Sequence, residues 1–318
     1  MSGSNSTPDP HLHKPVVRFA PSPNGRLHLG HARSALINWQ FAQAHHGEFL
    51  LRIEDIDTTR ARPEFEQAIL EDLARLGLRW PEPVRRQSDH FYDYTQALNE
   101  LDKLGLIYPA FLSRKEIAER VRTAEAGGSA WPRDPDGAPH YPGNDRTMPR
   151  SERTRRIEAG APHTWRLDIE AAIKGAPEGL NWCEQGIGPL GETGQIKADP
   201  AAWGDVVLAR RDTPASYHLA VTVDDAIQNI THVIRGQDLF AATSVHRLLQ
   251  ALLGLPAPRY RHHPLIRDES GRKLSKSDGD TTLAALRARG ASAADVIALA
   301  GLDTDFDPCA ENAPGIES

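Results

Sequence analysis

Cysteine is scarce: Cys183 and Cys309 are the only two in 318 residues. They exclude a disulfide framework and a four-thiolate metal site, and so few thiols fit a reducing, cytoplasmic setting. No run of 18 apolar residues occurs, so no membrane span or membrane partner is expected. Residues 1–14 are polar and lack the apolar middle of a signal peptide, which reads as a disordered tail. Net basic charge is also missing. The formal charge is −6, so any nucleic-acid contact has to use local patches. No Walker A pattern occurs, which argues against a P-loop NTPase. What remains is ordinary for a globular core, with 39% hydrophobic residues.

The stretch that organises the chain is 16–46. Residues 16–20 are β-prone, and Pro21-Ser-Pro-Asn-Gly25 is turn chemistry. Leu29, Ala32, Leu36, Ile37, Phe41 and Ala44 then recur at helical spacing. Residues 47–55 read as a second strand, completing a strand–helix–strand unit that favours a parallel sheet with a right-handed crossover. Ligands of such sheets sit at the carboxyl ends of the strands, where His28, Gly30, His31, Glu54, Asp55 and Asp57 all fall. A helix N-terminus carries unpaired N–H groups and partial positive charge. Gly30 would let an anion approach it, and the two imidazoles could add donors.

His28-Leu-Gly-His31, after Arg18-Phe-Ala-Pro-Ser22-Pro, resembles the HIGH motif of class I aminoacyl-tRNA synthetases in its glutamate-specific setting. Lys273-Leu-Ser-Lys-Ser277, about 245 residues later, resembles the KMSKS loop of the same class. Two lysines on a Ser-rich loop suit a triphosphate whose pyrophosphate is leaving. The resemblance implies a Rossmann-like α/β catalytic domain with ATP as substrate and Mg²⁺ arriving with it. His28, Gly30, His31 and Lys276 would hold the ATP phosphates, with Lys273 assisting. Arg52-Ile-Glu54-Asp55 resembles the segment whose Glu holds the α-ammonium of the amino acid, a role carried to Glu54. Asp57 and Arg60 would brace the following loop. Tyr217-His-Leu-Ala-Val-Thr-Val-Asp-Asp225 alternates and resembles another family segment. Arg18, Ala20, Ser22, Glu54, Tyr217 and Arg235 are thereby assigned to a glutamate pocket. A guanidinium fork matches a carboxylate and disfavours a neutral amide.

The family often carries a zinc knuckle, but Ala110, Leu112, Tyr141 and Asp145 stand at its ligand positions, so no zinc is expected. Residues 63–76 and 92–104 read as packing helices, and Ser113-Arg-Lys-Glu116 as a capping box. Residues 124–150 read as loop or partly disordered chain, and 170–194 as a Gly-rich loop anchored by Trp182. Arg146, Arg150, Arg153, Arg155 and Arg156 are a basic run, either a solvated face or a contact to tRNA phosphate. Residues 203–210 read as a strand. His262 and His263 read as structural. Two short helices are expected over 281–300.

The expected layout is a tail at 1–14, the first half of a parallel-sheet nucleotide domain at 15–109 and an inserted α+β, acceptor-binding-like subdomain at 110–203. The second half of the domain follows at 204–270, then the KLSKS loop and short helices at 271–302, and a tail at 303–318. A helical anticodon-binding domain has no room after Ser277. The chain therefore resembles the glutamyl-queuosine tRNA(Asp) synthetase family, made of the catalytic part alone. That resemblance implies tRNA-independent activation of L-glutamate and its transfer to queuosine in tRNA(Asp). The alternatives are a truncated or split glutamyl-tRNA synthetase charging the 3′ end of tRNA(Glu), and a non-catalytic paralogue that binds nucleotide or tRNA. A monomer is the expected state.

Overall fold

The computed structural model describes residues 14–211, 213–266 and 282–302. The two expected tails beyond these, and Lys273 and Lys276, lie outside the described residues.

Strand β1 (Val16–Phe19) leads into helix α1 (Leu29–Ala44), and β2 (Glu48–Ile53) returns beside β1 in parallel, with Val16 opposite Glu48 and Phe19 opposite Leu51. The apolar face of α1 is buried at Leu29, Ala32, Leu36, Ile37 and Phe41. Helix α2 (Pro63–Arg75) starts on a proline whose missing N–H is no loss at that position. It buries Ile69 and Leu73. Strand β3 (Arg85–Arg86) extends the sheet in parallel, and α3 (Phe91–Lys103) turns Tyr94 and Leu101 inward.

An antiparallel layer follows. It comprises β4 (Ile107–Ala110), then α4 (Arg114–Ala126), α5 (Arg150–Glu158) and β5 (Thr164–Leu167). Helix α4 opens on the capping box formed by Ser113 and Glu116. Next come α6 (Ile169–Gly175), β6 (Asn181–Glu184), β7 (Gly194–Lys197) and β8 (Val207–Arg210), with β4, β5 and β8 forming one antiparallel sheet. Helix α7 (Tyr217–Ile227), β9 (His232–Gly236), α8 (Thr243–Leu252) and β10 (Arg259–His263) complete the catalytic layers, and α9 (Leu283–Ala288) and α10 (Ala293–Leu299) follow.

The second parallel system runs β9-β10-β6, edged by antiparallel β7. It abuts β1, where the Thr231 N–H donates to the Val16 carbonyl at 3.0 Å and the Val16 N–H donates to Thr231 Oγ1 at 2.9 Å. Strands β2 and β3 thus lie to one side of β1, and β9, β10 and β6 to the other. A crevice opens at the carboxyl ends of strands where such an order reverses. The fold is the expected α/β architecture with a parallel sheet and added mixed sheets.

Several local expectations are corrected. Residues 217–225 alternate in sequence but form helix α7, buried from Leu219 through Asp225. Residues 170–194 are not one loop. They hold α6 and the hairpin partner β6, which pairs in parallel with β10. Trp182 is buried as foreseen. Residues 203–206 precede the strand rather than belong to it. Residues 124–150 are tied down: Trp131 Nε1 donates to the His140 carbonyl at 2.9 Å, and Asp134 accepts the amides of Asp136 and Ala138. The basic run is mostly engaged locally. Arg155 and Arg156 pair with Glu152, Arg146 with Asp168 and Glu170, and Arg153 donates to the Arg146 carbonyl.

The four family zinc positions come together as a hydrogen-bonded knot. Asp145 accepts from the Tyr141 hydroxyl and from the Phe111 amide at 2.8 Å, and the Leu112 amide donates to Tyr141 Oη at 3.3 Å. Tyr108, Ala110 and Tyr141 are buried there against Leu112.

Candidate active site

The ends of β1, β2 and β9, the first turn of α1 and the start of α7 enclose a cavity of about 300 Å³. Arg18, Ala20, Ser22, His28, Gly30, His31, Glu54, Tyr217 and Arg235 all line it, although they come from segments more than 200 residues apart. Leu265 and Ile266 line it too, and Thr282 bridges to His28.

His28 is the N-cap of α1. Its Nδ1 accepts the Gly30 amide at 3.1 Å, while His31 Nδ1 accepts the His28 amide at 3.2 Å. The rings stack with centroids 3.8 Å apart. With each Nδ1 an acceptor, the proton of each neutral ring sits on Nε2. The role expected of Gly30 changes as a result. A Cβ there would meet the His28 ring at 3.0 Å, so the missing side chain makes room for the capping imidazole. The Gly30 N–H is taken by that ring, and the donors this turn can offer an anion are the imidazoles rather than that amide.

The acidic side is a buried ion network. Asp225 on α7 accepts from Arg18 Nε at 3.0 Å and Arg52 at 2.8 Å, and Arg52 reaches Glu54 at 3.1 Å and Gln228 at 2.9 Å. Asp224 beside it accepts from Arg85, Gln87 and Tyr94. Burial pushes Asp225 up, but Arg18 and Arg52 outweigh it and hold the carboxyl below its usual range. Burial dominates at Glu54 and raises its carboxyl despite Arg52 and Arg18. A cationic group arriving at Glu54 would restore the balance. Asp57 faces elsewhere: it accepts from Thr59 Oγ1 at 2.6 Å, and its carbonyl takes the Arg60 and Ala61 amides.

Arg235 is buried among neutral acceptors. Its Nε donates to His262 Nε2 at 3.1 Å. Its terminal nitrogens donate to Tyr217 Oη at 3.4 Å, His246 Nδ1 at 3.2 Å, the Leu239 carbonyl at 3.0 Å and Thr243 Oγ1 at 2.8 Å. The Tyr260 ring lies 5.4 Å below the guanidinium. Among the described residues no carboxylate forms an ion pair with it. A pairing with Asp238, which the spacing allows, is not among its contacts.

A second cavity of about 440 Å³ shares Tyr217 with the first and is lined by Asp134, His140, Arg166, Trp203 and His218. Sequence reasoning missed His218, His246, Glu184 and Asp225, and took His262 as structural. The doublet Asp224-Asp225 within an apolar run was the one available signal, since acids there have to be paired.

Burial holds His218, His232 and His263 at about 4. Between pH 6.5 and 4 the unfolded chain therefore binds protons that the folded chain refuses. Stability present above pH 6.5 is expected to fall as pH drops through this window, by about 1.4 kcal/mol per pH unit for each group. Urea midpoints measured from pH 7 to pH 4 should decline steadily; a flat profile would contradict the buried, neutral assignment.

Residues 14–301 match the family model for tRNA synthetases class I (E and Q), catalytic domain. A Rhodobacter capsulatus protein described as glutamyl-Q tRNA(Asp) synthetase is 46% identical over 291 residues, covering 90% of this chain and 100% of that one. A Prochlorococcus marinus glutamate–tRNA ligase is 40% identical over 285 residues, covering 87% of this chain and 56% of the ligase, so the chain spans about half of that relative. The crystal structure of an Elizabethkingia meningosepticum glutamate tRNA ligase in complex with its amino acid superposes with a TM-score of 0.69 at 32% identity, over 84% of this chain and 53% of the ligase. On the residues of its cavity, its parallel sheet and these matches, the chain belongs to the catalytic-domain family of the class I glutamyl and glutaminyl tRNA synthetases.

Proposed function

We propose that this chain activates L-glutamate with ATP, without needing tRNA, and transfers the glutamate to the queuosine of tRNA(Asp). The observation that carries the amino-acid choice is the charge pattern of one cavity. A buried guanidinium held only by neutral groups suits a side-chain carboxylate, and the buried carboxyl of Glu54 suits an α-ammonium. The similarity along the whole length of the Rhodobacter capsulatus protein supports the queuosine acceptor.

In the first step a glutamate α-carboxylate oxygen attacks the α-phosphorus of ATP. The bond to the bridging oxygen breaks, and pyrophosphate leaves. The chain contributes alignment and charge stabilisation. His28 and His31 present Nε2–H to the phosphates. Lys276, with Lys273, meets the departing pyrophosphate; both belong to the stretch joining Ile266 at the cavity to Thr282 at His28. Mg²⁺ comes with ATP. An ion of this kind keeps several waters and is held largely through the substrate phosphates rather than in an all-protein cage. In the second step a hydroxyl of the queuosine cyclopentenediol attacks the anhydride carbonyl, the bond from that carbon to the phosphate oxygen breaks, and AMP leaves with its phosphate taking the hydroxyl proton. The second cavity shares Tyr217 with the first, which supports it as the volume for the acceptor nucleoside.

Glutamate-dependent ATP–pyrophosphate exchange without tRNA, followed by transfer of labelled glutamate to tRNA(Asp) with and without queuosine, tests the proposal. Exchange should occur, and label should appear only on the queuosine-bearing tRNA. Label on both forms, or on the 3′ end of tRNA(Glu), would favour an ordinary ligase. No exchange at all would point to a binding paralogue.

A further inference from the structure

Three adjacent strands each place one polar side chain in a row. Arg235 on β9 and His262 on β10 are register partners, and Glu184 lies on β6, which pairs with β10. His262 accepts from Arg235 Nε at Nε2, and its Nδ1 contacts Glu184 Oε2 at 2.6 Å. An arginine can only donate, so the ring proton of neutral His262 sits on Nδ1 and points at Glu184. Glu184 is fully buried and accepts from three further donors: the His262 amide at 2.8 Å, the Gly186 amide at 2.9 Å and Trp182 Nε1 at 3.3 Å. Gly186 is required for this approach, because a Cβ there would sit 2.2 Å from the His262 carbonyl.

We infer that Glu184 and His262 are positioning residues for Arg235, with Glu184 acting as its counter-charge one imidazole removed. The inference rests on the cavity being the glutamate pocket. A carboxylate bonded directly to Arg235 would neutralise the charge that the substrate carboxylate is to meet. Placed behind a ring, it offsets the buried cation, fixes the tautomer and locks the rotation of the guanidinium, yet among the described residues puts no carboxylate in direct ion pair with it. His246 helps from another direction. Its Nδ1 accepts from Arg235, which puts its proton on Nε2 toward His218 Nδ1 at 3.2 Å. Neither imidazole brings a second positive charge to the pocket while neutral. Orientation is the quantity at stake, since a small misplacement of a substrate-positioning group costs up to about 100-fold.

The test is glutamate-dependent ATP–pyrophosphate exchange by the full chain and its His262→Leu, His262→Gln and Glu184→Gln variants, with KM read separately for glutamate and ATP. Glutamine at 262 places an amide oxygen near the position of Nε2. Glutamine at 184 sets an amide donor against groups that are all donors. His262→Leu and Glu184→Gln should raise the glutamate KM about tenfold or more, with the ATP KM within about twofold, and His262→Gln should recover part of the loss. A glutamate KM unchanged in folded His262→Leu or Glu184→Gln overturns the inference, as does an equal rise in both KM values. If His262→Leu does not fold, Glu184→Gln and His262→Gln are decided by the same split. Failure of all three to fold also overturns it, because the row would then be core structure first. Absence of exchange in the unmodified chain sinks the pocket reading itself, an outcome distinct from these.

Discussion

Arg235→Ala is expected to raise the glutamate KM by roughly two to three orders of magnitude, with the ATP KM almost unchanged. Removing one partner of a buried, hydrogen-bonded charge pair costs about 2–5 kcal/mol, and each decade of affinity is about 1.4 kcal/mol. The loss is two-sided. The substrate side-chain carboxylate would lose its proposed cationic partner, and the acceptors at His262, His246, Thr243 and Leu239 would lose their donor. Arg235→Lys should rescue little, because an ammonium cannot span acceptors arranged for a planar fork. Initial rates of pyrophosphate exchange across a glutamate series check this. Unchanged glutamate saturation in a folded Arg235→Ala protein would refute the assignment of the pocket.

Asp225→Ala should give the largest loss of stability. Arg18 and Arg52 are buried at 4% and 0% exposure, and both rely on this carboxylate. Breaking a buried pair from one side costs about 3–5 kcal/mol because a charge is left uncompensated, and here two cations lose the carboxylate they share. Arg52 would still reach Glu54 at 3.1 Å, drawing more on the carboxylate proposed to meet the ammonium. Urea unfolding should show a large drop in midpoint, and the glutamate KM should rise as well. Asp225→Asn, which keeps an acceptor but no charge, should fall between. A variant as stable as the parent would mean that the network is not coupled as its geometry implies.

Local chemistry explains which parts of this were readable beforehand. The β1–α1–β2 unit announced itself because β-prone residues, turn residues and helical spacing lie within 40 residues of each other. The pocket members carried by motif resemblance also converge, Tyr217 and Arg235 included. Helix α7 misled because it is buried around most of its circumference, so its polar positions do not mark a solvent face. Its alternation arises from Thr222, Asp224 and Asp225, which are buried and answer to distant partners. Helix α6 and strand β6, seven and four residues long, are too short for periodicity to register. Glu184 meets His262 across 78 residues and Arg18 meets Asp225 across 207, distances over which spacing holds no information.

Arg33, on the helix that begins at the paired histidines, donates to the carbonyls of Ala300 and Gly301 at 2.8 and 3.1 Å, where α10 ends. Leu283, Val296, Ala300 and Leu302 sit in the same core as Leu29 and Leu36. The last helices are thus mechanically clamped to α1 at both ends, by this guanidinium and by the Thr282 bridge. A bulky fusion or an antibody gripping α10 would load that linkage, and slower adenylate formation would be its signature even though the grip lies away from every substrate.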